Sequence, residues 1–251
     1  MAAQTAVDGH VHIYPGMNVA ALLGAAANHL GRLATGADPC LLLTETARDD
    51  GFDQLASGGV GVEGWEVVEY PEDPAALSMR DADGRLVTLV AGRQIVTAER
   101  LEVLALATHA RFDDGRPVDD VLADLTEAGV PAVLPWGLGK WVGERGRILR
   151  RVLDRWQGKV LLGDNAGRPL GWPRPSVFDR GPVLPGTDPL PLGGRESDVG
   201  RYGFVLPGAM STTRPAADLA DRLRALRAQP RIVGQRLGPM RVVADQVALR
   251  R

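Results

Sequence analysis

Val7-Asp8-Gly9-His10-Val11-His12-Ile13 is the stretch from which the fold is read. Apolar and polar residues alternate along it, the period of a strand whose successive side chains point to opposite faces. On such a strand Asp8, His10 and His12 share one face, while Val7, Val11 and Ile13 line the other. A helical pattern from about Met17 to Leu33 follows, and Leu41-Leu42-Leu43 then centres a second strand. Further strands are expected at 101–108, 132–136, 160–163, 183–186 and 204–206, with a last short one at Ile232-Val233. Between them lie helical stripes: Val118, Val121, Leu122 and Leu125; then Ile148, Leu149, Val152, Leu153 and Trp156. A third, Leu219, Leu223 and Leu226, is opened by Pro215. Strands separated by helices predict a parallel sheet with right-handed crossovers. Seven or eight such units predict a (β/α)8 TIM-like barrel, complete or distorted. The alternative is an open doubly wound sheet, but no GxGxxG follows the first strand. Residues 62–97 break the rhythm with short β-like runs around the turn signal Asp83-Gly84. They read as a small antiparallel β insertion in a single domain covering 1–251.

Composition narrows the function. Of 251 residues, 29 are Lys or Arg and 31 are Asp or Glu, a formal net charge of -2. This balance argues against a general electrostatic binder of nucleic acid or of anionic membranes. The single cysteine, Cys40, excludes an internal disulfide framework and any CxxC zinc site. MAAQTAVDGHVH has neither a basic leader nor a long apolar run, so a cytoplasmic protein with a small-molecule partner is expected. Homo-oligomerisation is left open. Only Lys140 and Lys159 of the 29 basic residues are lysines.

The chemistry starts at His10 and His12. Two imidazoles on neighbouring positions of one strand face can converge on a single divalent cation, zinc above all. The competing reading is a pair of histidines that merely satisfy local hydrogen bonds. Polar residues at other strand ends fit a barrel mouth. Thr44-Glu45 follows the second strand, Gly137-Leu138-Gly139-Lys140 the fourth, and Asp164-Asn165 with Arg168 the fifth. The glycines beside Lys140 would let an anionic substrate approach, making Lys140 a candidate substrate-binding and catalytic residue, or else a solvated loop lysine. Asp164 is a candidate metal ligand; Asn165 and Arg168 are candidate substrate contacts. The alternative for this segment is an Asx-turn with Arg168 on the surface. His109 ends the third strand and either approaches the site or sits in a loop, whereas His29 lies in a helical pattern.

Taken together, the HxH strand and the later segment VLPGTDPLP (183–191) resemble the amidohydrolase superfamily of metal-dependent hydrolases. The resemblance implies that His10 and His12 ligate a divalent metal, most naturally zinc. It implies that Asp188 is a ligand or the acid/base acting on the nucleophilic water. With four histidines in the whole chain, a mononuclear site, or one that has lost its metal, is expected rather than a binuclear centre. The expected activity is hydrolysis of an amide, lactone, other ester or related carboxylated molecule. A PHP-type phosphoesterase and a non-catalytic barrel that binds an anionic small molecule are the alternatives.

Overall fold

The computed structural model describes residues 3–250. Its strands are β1 (Gln4–Val11), β2 (Ala37–Leu43), β3 (Trp65–Glu69), β4 (Ala76–Asp81), β5 (Leu86–Val90) and β6 (Gly92–Val96). β7 (Glu102–Leu106), β8 (Ala132–Pro135), β9 (Val160–Asn165), β10 (Val183–Gly186), β11 (Tyr202–Pro207) and β12 (Arg231–Gly234) follow. The helices are α1 (Val19–Leu33), α2 (Gly51–Ala56), α3 (Val118–Glu127), α4 (Gly143–Arg155), α5 (Pro215–Arg224) and α6 (Pro239–Ala248).

The expected TIM-like barrel is not what these elements build. The strands divide between two open sheets, a seven-stranded one in the order β12-β11-β1-β2-β5-β4-β3 and a five-stranded one in the order β10-β9-β8-β7-β6. Parallel pairs such as β1–β2 and β8–β9 contain the long crossovers that parallel pairing needs. β7, however, runs antiparallel to both β6 and β8, and β11 runs antiparallel to β1 and β12. A barrel of eight parallel strands is thereby excluded. The stretch read as an insertion is part of the sheets themselves. β3, β4 and β5 form an antiparallel meander, and β5 pairs parallel with β2. β6 begins the second sheet.

Apolar side chains arrange these parts in four layers. Leu22, Leu23, Ala26 and Leu30 of α1 cover the outer face of the larger sheet, against Ala6, Val11, Leu41 and Leu43. Val7, Cys40 and Leu42 face Leu104, Val133, Leu161 and Leu184 across the space between the sheets, with Leu219 and Leu223 of α5 closing one side. The stripes of α3 and α4 cover the outer face of the smaller sheet. Each such leucine withdrawn from water contributes about 1.5–3 kcal/mol. Polar caps fix the helix ends. Asn18 accepts from Ala21 N at 3.0 Å at the start of α1. Asp73 reaches from a distant loop to accept from Ala216 N at 2.7 Å and Ala217 N at 3.2 Å, at the start of α5. Among the described residues, no helix is long and apolar enough to cross a membrane.

Two seams bring the sheets together at the ends of β1 and β2. Asp188 N donates to His10 O at 2.7 Å, while Gln94 N donates to Glu45 O at 2.8 Å. The β1–β10 seam depends on glycine. A Cβ at Gly186 would overlap the backbone nitrogen of His10, and one at Gly9 would lie 2.7 Å from Pro185 O. Gly186→Ala is therefore expected to push β10 off β1, costing about 1–3 kcal/mol or more, the usual penalty of overpacking. Thermal unfolding checks this; an unchanged Tm would contradict the account of the seam.

Candidate metal centre

The side chains of β1 do not keep the simple alternation expected of them. The register with β2 shifts between Asp8 and Val11, so Val7 faces the space between the sheets while Val11 packs with α1. This irregularity separates Asp8 from the two histidines. Asp8 is buried and accepts from Thr187 N at 2.7 Å, Thr187 Oγ1 at 2.5 Å, Gly200 N at 2.8 Å and His10 N at 3.3 Å. Burial nevertheless pushes its carboxyl up to about 6, against those four donors. Its task is to tie β1 to the loops after β10.

His10 and His12 do meet. Their Nε2 atoms lie 3.0 Å apart, and Asp188 Oδ1 is 3.5 Å from the first and 3.7 Å from the second. Asp188 is delivered by a residue-specific backbone device: its φ is +51°, a left-handed conformation that aspartate tolerates better than most residues. Asn165, at the end of β9, orients the carboxylate. Its Nδ2 donates to Asp188 Oδ2 at 2.8 Å and to Trp136 O at 3.0 Å. His12 is held by stacking on Tyr14, with ring centroids 5.1 Å apart and planes 17° from parallel; its Nδ1 is buried without a hydrogen-bond partner. Burial lowers both imidazoles to about 4, so both are neutral at pH 7. Burial also raises the Asp188 carboxyl, opposed by His12 and Lys140.

Neutral imidazoles and a carboxylate offer lone pairs, the donor set of a divalent cation. A tetrahedral ion with bonds of 2.0–2.1 Å would hold its ligand atoms about 3.3 Å apart, and the three separations bracket that value. The residues fit one ion. Asp188 keeps 24% side-chain exposure, against 5% and 3% for the histidines, so the cluster opens on the carboxylate side. That side is a cavity of about 230 Å³ bordered by Glu102, Trp136, Lys140, Asn165, Asp188 and Leu190, among others.

The other sequence candidates are placed elsewhere or differently. Asp164 is not brought to the cluster. Its oxygens accept from Arg168 Nε at 2.7 Å, Arg168 Nη2 at 2.5 Å and the Tyr202 hydroxyl at 2.8 Å. Arg168 is spent on that buried pair and lies over the Phe178 ring, 5.4 Å from its centroid, rather than reaching substrate. Lys140 does line the cavity, but its ammonium is paired with Glu102. His109 pairs with Asp53 at 2.6 Å on the surface. Glu45 accepts from Phe52 N at 2.6 Å and faces Arg93. His29 Nδ1 meets Val199 O at 2.8 Å. Glu102, Gln94 and Tyr14 are the neighbours that sequence reasoning passed over. Tyr14 carried a signal, since it extends the 10, 12 spacing by one more step of two.

Asn165→Ala follows from this geometry as a test of the support around the ligands. Loss of a partner that orients a ligand lowers metal affinity by about 10–100-fold. Zinc titration of the variant checks it, and an unchanged affinity would contradict the orienting role.

An α/β protein of two facing open sheets, with a compact His-His-Asp cluster at their seam, is the class so defined. It has the fold of PsfC from Pseudomonas syringae PB-5123, whose crystal structure matches with a TM-score of 0.60 and 18% identity, over 98% of each chain. No family model matches the sequence, and no curated protein matches it. At that identity the likeness to PsfC concerns the fold alone, and the amidohydrolase resemblance draws no support from these comparisons.

Proposed function

We propose that the protein is a metal-dependent hydrolase of a small molecule carrying an amide, lactone or other ester bond. His10, His12 and Asp188 would hold one divalent cation, zinc by the chemistry of the donors. The convergence of two neutral imidazole nitrogens and a carboxylate oxygen within 3.7 Å carries the reading. A cation held there supplies Lewis acidity toward a carbonyl oxygen and acidifies a coordinated water. The chain's own residues do the rest. Asn165 fixes the carboxylate, and Tyr14 fixes the imidazole of His12. Trp136 and Leu190 give the cavity apolar walls that limit access of bulk water. We propose a cytoplasmic location for it, in keeping with a sole cysteine, Cys40, that is free and buried.

Two rival functions have less behind them. A PHP-type phosphoesterase would call for more histidines, and His29 and His109 are engaged away from the cluster. A non-catalytic anion binder would need an uncompensated cation, whereas Glu102 neutralises Lys140. Turnover of a panel of p-nitrophenyl esters, lactones and anilides tests the proposal. Hydrolysis should disappear on chelation and return with zinc. Hydrolysis that is indifferent to chelator, or absent across the panel from zinc-loaded protein, would overturn it.

A further inference from the structure

We infer that Glu102 is a catalytic residue of this site, the group that carries the proton between the attacking water and the leaving atom. The inference rests on the hydrolase reading above. Asp188 is poorly placed for that task because both its oxygens are engaged. Oδ1 faces the two imidazoles and Oδ2 accepts from Asn165 at 2.8 Å. Glu102 borders the same cavity, and its contacts with Lys140 and Gln94 both fall on Oε1, so that they leave Oε2 unengaged. It opens β7, paired with Val96, on the face that carries Leu104 and Leu106 into the space between the sheets. Because β7 runs against β8, its first residue lies at the end of the sheet where β8, β9 and β10 terminate.

Glu102, Lys140 and Asp188 border one cavity. Gln94 Nε2 approaches Glu102 Oε1 at 3.5 Å. Lys140 Nζ pairs with the carboxylate, and its side chain folds over Gly137, where a Cβ would strike the lysine methylenes. Glu102 is thus a carboxylate that borders the same cavity as Asp188, with 16% of its side chain exposed. In the reaction, the water oxygen bonds to the acyl carbon and its proton passes to Glu102. The bond from that carbon to the leaving nitrogen or oxygen then breaks, and Glu102 returns the proton to the leaving atom. The products are a carboxylic acid and an amine or alcohol, so one water is consumed and Glu102 is regenerated.

Acetohydroxamic acid provides a test that does not depend on knowing the substrate, since it must give up a proton when it binds zinc as the hydroxamate. Its binding to zinc-loaded wild type, Glu102→Gln and Lys140→Met is measured by calorimetry in buffers of different ionisation enthalpy, with zinc content determined in parallel. Wild type should bind with the proton retained by Glu102. Glu102→Gln should keep its zinc, bind roughly tenfold or more weakly, and release about one proton to buffer. Lys140→Met, which leaves the carboxylate in place, should retain the proton. Equal affinity and equal proton release for wild type and Glu102→Gln would overturn the role of Glu102 while leaving the metal reading intact. Loss of proton retention in Lys140→Met as complete as in Glu102→Gln would also overturn it, because Glu102 would then serve only the lysine. Zinc-loaded wild type that does not bind the hydroxamate overturns the role as well. Failure of the wild type to bind zinc at all overturns both readings.

Discussion

Replacing His10 and His12 together with alanine should abolish stoichiometric zinc binding and all metal-dependent turnover. The two imidazoles supply two of the three converging donor atoms, and burial keeps both neutral, the state in which imidazole ligates. Losing a residue that only orients a ligand costs about 10–100-fold in affinity; losing two ligands should exceed that by a wide margin. Asp188, held by one bond from Asn165, is then the one member of the three-residue cluster left. Elemental analysis of the purified variant, with circular dichroism to confirm the fold, checks the expectation. A folded double variant that retains one zinc per chain would contradict it.

Asp164→Ala should produce the largest loss of stability without touching zinc. Arg168 is buried against Asp164 and Phe178, and the substitution strands its guanidinium in a dry environment. Removing one partner of a buried ion pair costs about 3–5 kcal/mol. At about 2–4 °C per kcal/mol for a chain of this size, Tm should fall by roughly 10 °C. Asp164→Leu combined with Arg168→Met removes both charges and should recover much of the loss. Zinc affinity of the folded single variant should stay at the wild-type value, since no oxygen of Asp164 reaches the cluster. A folded variant that has lost its zinc would instead make Asp164 part of the metal site.

The elements of this fold are legible in the sequence to a degree that their pairing is not. The strand-like run around Val7 and the apolar stripe of Val118, Val121, Leu122 and Leu125 mark β1 and α3, although β1 is buried on both faces and its alternation breaks at the register shift after Asp8. Direction is another matter. Apolar runs at 102–106 and 202–207 look the same whether the strand runs with or against its neighbours. The short connection from β6 to β7 was the available sign that β7 is reversed, because a parallel pair needs a crossover of a dozen or more residues. Reading all strands as parallel produced the barrel, and it drew attention to His109 at one end of β7 rather than Glu102 at the other.

The site was legible in part for a similar reason. His10 and His12 stand two apart, and Asp188 sits between prolines after an apolar run, so local pattern singled out each of them. Asp8 shares their spacing, but the register shift beside Gly9 turns it to the Thr187 and Gly200 amides. Asp164 and Arg168 stand four apart, a spacing as compatible with pairing to each other as with reaching outward. Only the folded chain decides between the two.

Anomalous diffraction at the zinc edge, from crystals of the protein grown with zinc, tests the central claim most directly. The account predicts a single strong peak within about 2.0–2.2 Å of His10 Nε2, His12 Nε2 and an Asp188 carboxylate oxygen. A zinc peak held by other residues, or well-ordered His10, His12 and Asp188 side chains with no peak between them, would contradict it.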